Sequence, residues 1–190
     1  MTDVVIQIFP FSHFLPLGQT ELDCIINWAG KVNSRWWSCE KKDNLTLHSR
    51  GKYGEAVCET ILRRCNPKIE AETGLDLFRV NSYIREYYHA AILKAHLDRA
   101  AIEWSLLVAL ELEGDPWPIH FEGHGSVSLT PGQCVMAPTG KVKHWRDPFA
   151  GERYLTLFLH WHTQVKYFLN QGGNDVSLED EDYFSQIDLS

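Results

Sequence analysis

His96-Leu97-Asp98 places an imidazole and a carboxylate one residue apart where a strand should end. Side chains at i and i+2 of a strand share a face, so the two groups converge on one point. His144 lies in a later expected strand. Arg153 opens the next, nine residues on, across the turn Asp147-Pro148-Phe149-Ala150-Gly151. Two imidazoles and one carboxylate on one side of a metal leave three coordination positions open, a set suited to Fe(II) and O₂ chemistry. An electron-donating chelator such as 2-oxoglutarate would bind there through its keto-acid end. Its far carboxylate then needs a buried cation. A guanidinium stays charged when desolvated and pairs bidentately, and Arg153 is placed to supply it.

Other histidines compete for this role less well. His120-Phe121-Glu122 repeats the i, i+2 logic but lies too near His144 in sequence to reach an opposed strand. His160-Trp161-His162 puts two imidazoles on one strand face and reads as core or rim. Along Phe78–Tyr87, the polar residues Arg79, Asn81, Tyr83 and Arg85 alternate with Phe78, Val80, Ser82 and Ile84. They fall on the face of Tyr87, where an inward turn would make them line a cavity. Arg99, beside Asp98, is a candidate cation for substrate. Trp104 and Trp117 read as core, and Trp36-Trp37 as a lid over the substrate.

The elements that must position these groups change character along the chain. Thr20-Glu21-Leu22-Asp23 before Ile25, Ile26 and Trp28 has the form of a capped amphipathic helix. A second helix is expected over Gly54–Cys65, stopped by Pro67. From Leu75 onward, short apolar runs alternate with turn signals such as Gly114-Asp115-Pro116, Pro131-Gly132 and Pro138-Thr139-Gly140. They give strands near Leu77–Tyr87, Ala95–Asp98, Trp104–Leu110, Pro118–Phe121, Ser126–Leu129, Cys134–Ala137, Val142–Trp145 and Tyr154–Trp161. About eight short strands at such spacing make an α+β, mainly β jelly roll with N-terminal helices packed on one sheet. One domain is expected over 1–175, with helical support at 1–74 and a barrel at 75–165. The acidic tail 176–190, with Glu179-Asp180-Glu181-Asp182, is expected to be solvated.

Composition narrows the function classes. The chain has 190 residues, 44% hydrophobic and 23% charged, with 18 basic and 25 acidic side chains. Its formal charge of −7 argues against a nucleic-acid partner. No apolar stretch is long enough to span a bilayer. Five scattered cysteines (Cys24, Cys39, Cys58, Cys65, Cys134) fit reduced thiols in a cytoplasmic protein rather than a disulfide framework.

The stretch from Arg85 to Arg99, with Trp104-Ser105, Trp117-Pro118, Pro131-Gly132, His144-Trp-Arg-Asp-Pro148-Phe149-Ala-Gly151, Arg153 and Phe158-Leu-His160, resembles the Fe(II)/2-oxoglutarate-dependent oxygenases, in particular their prolyl 4-hydroxylase-like branch. The resemblance covers roughly residues 78–162 and implies a double-stranded β-helix. It implies His96, Asp98 and His144 as Fe(II) ligands. Arg153 would hold the distal carboxylate of 2-oxoglutarate, with Tyr87 beside it and Tyr83 and Asn81 nearby. Arg79, Arg85 and Arg99 would face the substrate, a prolyl residue, amino acid or small metabolite. Ascorbate is the accessory reductant expected with such iron. Ala90 stands where related sequences often place glycine. The competing reading is a metal-binding cupin without oxoglutarate chemistry, for which Gly132–Gly140 before His144 is near the second cupin motif but no upstream His-x-His exists.

Overall fold

Alternating apolar residues from Phe78 onward build an antiparallel sheet that folds back on itself. A computed structural model describes residues 6–14, 23, 25–29, 45–164, 167–169 and 175–177. The strands are β1 (Gln7–Pro10), β2 (Thr46–Tyr53), β3 (Phe78–His96), β4 (Trp104–Glu113), β5 (Ile119–Phe121) and β6 (Gly125–Val127). They continue with β7 (Gln133–Ala137), β8 (His144–Arg146) and β9 (Arg153–His162). Helix α1 (Ala56–Thr73) lies between β2 and β3, and β10 (Tyr167–Leu169) pairs with β11 (Asp175–Ser177). The main sheet runs β1-β7-β4-β9-β3-β8-β5-β6, with β2 added on β3.

β3 serves two layers. Its first half pairs with β9 from Phe78 to Tyr88, and its second half pairs with β8 at Leu93 and His96. Ala90, between the halves, has a left-handed φ of 62° and donates its N–H to the Phe149 carbonyl at 2.9 Å. A non-glycine residue is strained there, which accounts for glycine being favoured at such a bend. The expected separate strand at Ala95–Asp98 is thus the end of β3, with Asp98 just beyond it. The architecture is the jelly-roll double-stranded β-helix expected from the sequence.

Two cores lie on opposite faces of the larger layer. Ile84, Leu155, Leu157, Leu159 and Trp161 pack outward against α1 through Cys58, Ile61, Leu62, Cys65 and Ile69. Tyr87, Leu107, Ala109, Trp117, Ile119, Phe149 and Tyr154 form the inner core between the layers. Period-2 alternation on β9 therefore sends even-numbered residues inward and odd-numbered residues outward.

Two N-terminal expectations need correction. α1 runs through Pro67 to a Gly74 cap at φ 67° instead of ending before the proline. Proline removes one helical hydrogen bond, but Ile69, with no exposed surface, rewards continuation by packing on the sheet. Residues 7–53 also supply two strands, β1 and β2, and not helical support alone. Residues 25–29 are helical as expected, while Thr20, Trp36, Trp37 and the acidic run 179–182 lie outside the described residues. Cys58, Cys65 and Cys134 are buried free thiols, and burial pushes the Cys58 and Cys65 thiols up to about 12.

Candidate metal centre and its cavity

β3 delivers His96 at its end, and the chain then turns so that the Asp98 N–H donates to the Thr139 carbonyl at 3.0 Å. β8 brings His144 opposite His96 in antiparallel register. One ligand atom from each of His96, Asp98 and His144 lies within 4.8 Å of the others. Asp98 Oδ1 is 3.5 Å from His96 Nε2 and 3.8 Å from His144 Nε2. The ring centroids of the two histidines are 4.3 Å apart.

The orientation of each ligand is fixed from behind. His96 Nδ1 is 2.8 Å from the Lys94 carbonyl, and His144 Nδ1 is 3.1 Å from the Val142 carbonyl. A carbonyl only accepts, so each Nδ1 carries the proton and each Nε2 keeps its lone pair for a metal. Ser105 Oγ donates to Asp98 Oδ2 at 3.2 Å, leaving Oδ1 toward the imidazoles. Burial would raise the Asp98 carboxyl, but the His96 hydrogen bond and nearby imidazoles hold it below the usual carboxylate range. Burial also keeps the His144 imidazole below its usual value. Asp98 is thus anionic and His144 neutral, the protonation states a divalent cation requires of such ligands.

The triad opens on a cavity of about 290 Å³. Its lining includes Tyr83, Arg85 and Tyr87 of β3, Leu107, Ile119, Thr139, Phe158 and His160. Leu45, Tyr53, Leu97 and Arg99 line it too, and the first three of these are more than one-third exposed, marking the mouth. Arg99 lies over the Tyr53 ring at 5.1 Å.

The predicted site residues separate into two groups. His96, Asp98, His144, Tyr83, Tyr87, Arg85 and Arg99 share the cavity. Asn81 stands just behind it, its Oδ1 accepting from His160 Nδ1 at 3.1 Å. Arg79 does not join them: an irregularity in register between Arg79 and Asn81 breaks the alternation, and Arg79 is exposed. Arg153 does not line the cavity either. It falls on the odd, outward face of β9, where its guanidinium bonds Glu86 and lies 2.5 Å from Glu111 Oε2 and 3.5 Å from Glu113. Glu86, only 3% exposed, also accepts from Arg50 at 2.6 Å and from the Tyr88 hydroxyl at 2.5 Å. The rival His120 pairs with Asp147 at 3.1 Å instead of with a metal-ligand set.

Sequence reasoning gave no role to Ser105, Thr139 and Arg146, and read His160 as core or rim, where it also lines the cavity. His160 is buried beside the triad, and burial lowers its imidazole to about 4, so it is neutral at pH 7. Arg146 follows His144 by two residues in β8, and the spacing rule that joined His96 to Asp98 would have placed it on the ligand's face.

No protein-family model matches the chain, and no curated protein matches it by sequence. Solved structures do match. A Pseudomonas putida prolyl-4-hydroxylase superposes with a TM-score of 0.66 at 16% identity, covering 85% of this chain and 94% of that one. The viral collagen prolyl hydroxylase vCPH from Paramecium Bursaria Chlorella virus-1, in its 2OG complex, gives 0.61 at 12% identity, covering 82% and 94%. HygX from Streptomyces hygroscopicus, solved with nickel, 2-oxoglutarate and hygromycin B, gives 0.61 at 10% identity, covering 85% and 84%. The chain has the fold of these Fe(II)/2-oxoglutarate oxygenases, a double-stranded β-helix.

Proposed function

We propose that this protein is a non-haem Fe(II) oxygenase that couples 2-oxoglutarate decarboxylation to hydroxylation of an unactivated C–H bond. The observation that carries this reading is the convergence of His96 Nε2, His144 Nε2 and Asp98 Oδ1 in the wall of one cavity. Two imidazoles and one carboxylate on one side fit iron with room for further ligands. Bound there, Fe(II) and 2-oxoglutarate would supply the oxidising power drawn from O₂, with succinate and CO₂ as by-products.

The chain's own part is positioning and exclusion of water. The Lys94 and Val142 carbonyls hold both imidazoles in the metal-binding tautomer, and Ser105 holds Asp98. Leu107, Ile119 and Phe158 keep the interior dry. Leu45, Tyr53, Leu97 and Arg99 would meet the substrate, giving it an apolar contact and one cation. A small molecule or a peptide side chain fits such a mouth. The structural matches give the cupin alternative no better support than the oxygenase reading.

The test is anaerobic addition of Fe(II) and 2-oxoglutarate. A weak visible charge-transfer band is expected from the wild type and is expected to vanish in His96→Ala. Iron binding without a band would sink the oxoglutarate reading.

A further inference from the structure

Three of the five buried side-chain polar atoms that lack a hydrogen-bond partner among the described residues are Arg146 Nε, Tyr154 Oη and Thr156 Oγ1. They lie together. Tyr154 and Thr156 are consecutive inward residues of β9, opposite Tyr87 and Arg85 of β3 in register. The Arg146 guanidinium carbon is 5.2 Å from the Tyr154 ring centroid and 4.7 Å from that of Trp117. The Tyr87 ring packs on both, at 6.3 Å and 5.1 Å.

Arg146 is 3% exposed, and its one hydrogen bond among the described residues is to the Trp117 carbonyl. No carboxylate among the described residues pairs with it. A guanidinium does not neutralise itself by losing its proton, so a buried one is unfavourable without a counter-charge. Unsatisfied buried polar groups concentrated at one point call for a ligand or an ion. Tyr87 and Leu93, which line the cavity, adjoin this cluster: Tyr87 through its ring contacts, Leu93 as the β3 partner of Arg146. Arg85, held by the Tyr83 hydroxyl at 2.7 Å and by Thr46, adds a second guanidinium in the cavity wall. Burial raises the Tyr87 hydroxyl while the Arg85 and Arg146 charges oppose it, and the Arg85 guanidinium carbon lies 5.8 Å from the Tyr87 ring centroid.

We infer that Arg146, with the hydroxyls of Tyr154 and Thr156, and not Arg153, holds the distal carboxylate of the oxo-acid bound at the triad. This rests on the oxygenase reading but changes which residue confers cosubstrate choice. The anchor comes from β8, two residues after a metal ligand, so one short strand fixes both ends of the bound molecule. Specificity would be for a 2-oxo acid carrying a second carboxylate. An analogue ending in a methyl group would leave Arg146 buried and unpaired.

The experiment is anaerobic calorimetry on the Fe(II)-loaded protein with 2-oxoglutarate and with 2-oxopentanoate, which lacks the distal carboxylate. The wild type is expected to prefer 2-oxoglutarate. Arg146→Gln is expected to weaken 2-oxoglutarate by about 10- to 150-fold, the range of a charge-assisted hydrogen bond, and to leave 2-oxopentanoate as it was. Arg153→Gln is expected to keep the wild-type preference. Should Arg146→Gln fail to fold, Arg146→Lys keeps the charge, loses the fork and should still lose part of the preference. Loss of the preference in Arg153→Gln, or its retention in the Arg146 variants, would overturn the assignment and leave the oxygenase reading standing. Iron-loaded wild type that binds neither acid would overturn both.

Discussion

Arg146 and Arg153 stand seven residues apart on consecutive strands, and their surroundings are opposite in kind. Arg153 is met by Glu86, Glu111 and Glu113 on the helix-facing side of the sheet. Arg146 is met by aromatic rings and a carbonyl on the inner side. A cation already neutralised by carboxylates has little left for a ligand. A cation surrounded by π faces is stabilised without being neutralised and stays available. Position in the sequence favours Arg153 as the anchor. Strand parity and the supply of counter-charge favour Arg146.

The comparison breaks first at the metal. Asp98→Ala removes the one anionic ligand while its partners Ser105 and Thr139 stay close-packed at the base of the cavity. Fe(II) affinity is expected to fall by more than about 100-fold, beyond the usual cost of losing a residue that only supports a ligand. Anaerobic metal titration checks this, with the circular dichroism of the fold unchanged. An outward-face change should do the reverse. Arg153→Ala leaves Glu86 buried with Arg50 and Tyr88 as remaining partners, and is expected to cost about 2–4 kcal/mol of stability without altering Fe(II) affinity. Urea unfolding beside the same titration separates the two effects.

A pH series sharpens the outward cluster further. Burial raises the Glu86 carboxyl, but Tyr88, Arg153 and Arg50 together hold it below its ordinary 4.5. A carboxyl depressed in the folded state contributes stability that is present above its unfolded value and lost as pH falls through its native one. The stability gap between wild type and Glu86→Gln is therefore expected to be widest near pH 7 and to narrow steadily below about 4.5. A gap independent of pH would show that Glu86 is not ionised in the cluster.

Legibility in the sequence followed how local each signal was. His96 and Asp98 were readable because two residues on one strand need only the two-residue period. His144 was readable through resemblance and strand order. Nothing local marks where the inward phase of β9 begins: Arg153-Tyr154 reads equally well with either residue inside, and the fold turns Arg153 outward onto Glu86 and Glu111. The phase is set by Leu155, Leu157 and Leu159, which the helix claims for its own core. Arg79 lies away from the cavity lining for a related reason, since an irregularity in strand register leaves no mark in composition. Pro67 was a strong local stop signal overridden by the burial of Ile69, a contact distant in sequence. Arg146 was accessible by the rule already used for His96, but an arginine beside a metal ligand carries no signal of its own until its missing counter-charge is seen.

The mildest change tests the inner region most finely. Tyr154→Phe removes a buried hydroxyl that has no hydrogen-bond partner among the described residues, so without ligand the protein should be unchanged or gain up to about 1 kcal/mol. With Fe(II) bound, 2-oxoglutarate affinity should drop by about 2- to 12-fold, because that hydroxyl then loses a carboxylate partner. The two responses have opposite signs, which a purely structural hydroxyl would not produce. A residue that only packs the core would lose stability with and without ligand alike. Thermal unfolding of the Fe(II)-loaded protein, with and without 2-oxoglutarate, reads both, and a ligand-induced shift equal to that of the wild type would remove Tyr154 from the carboxylate site.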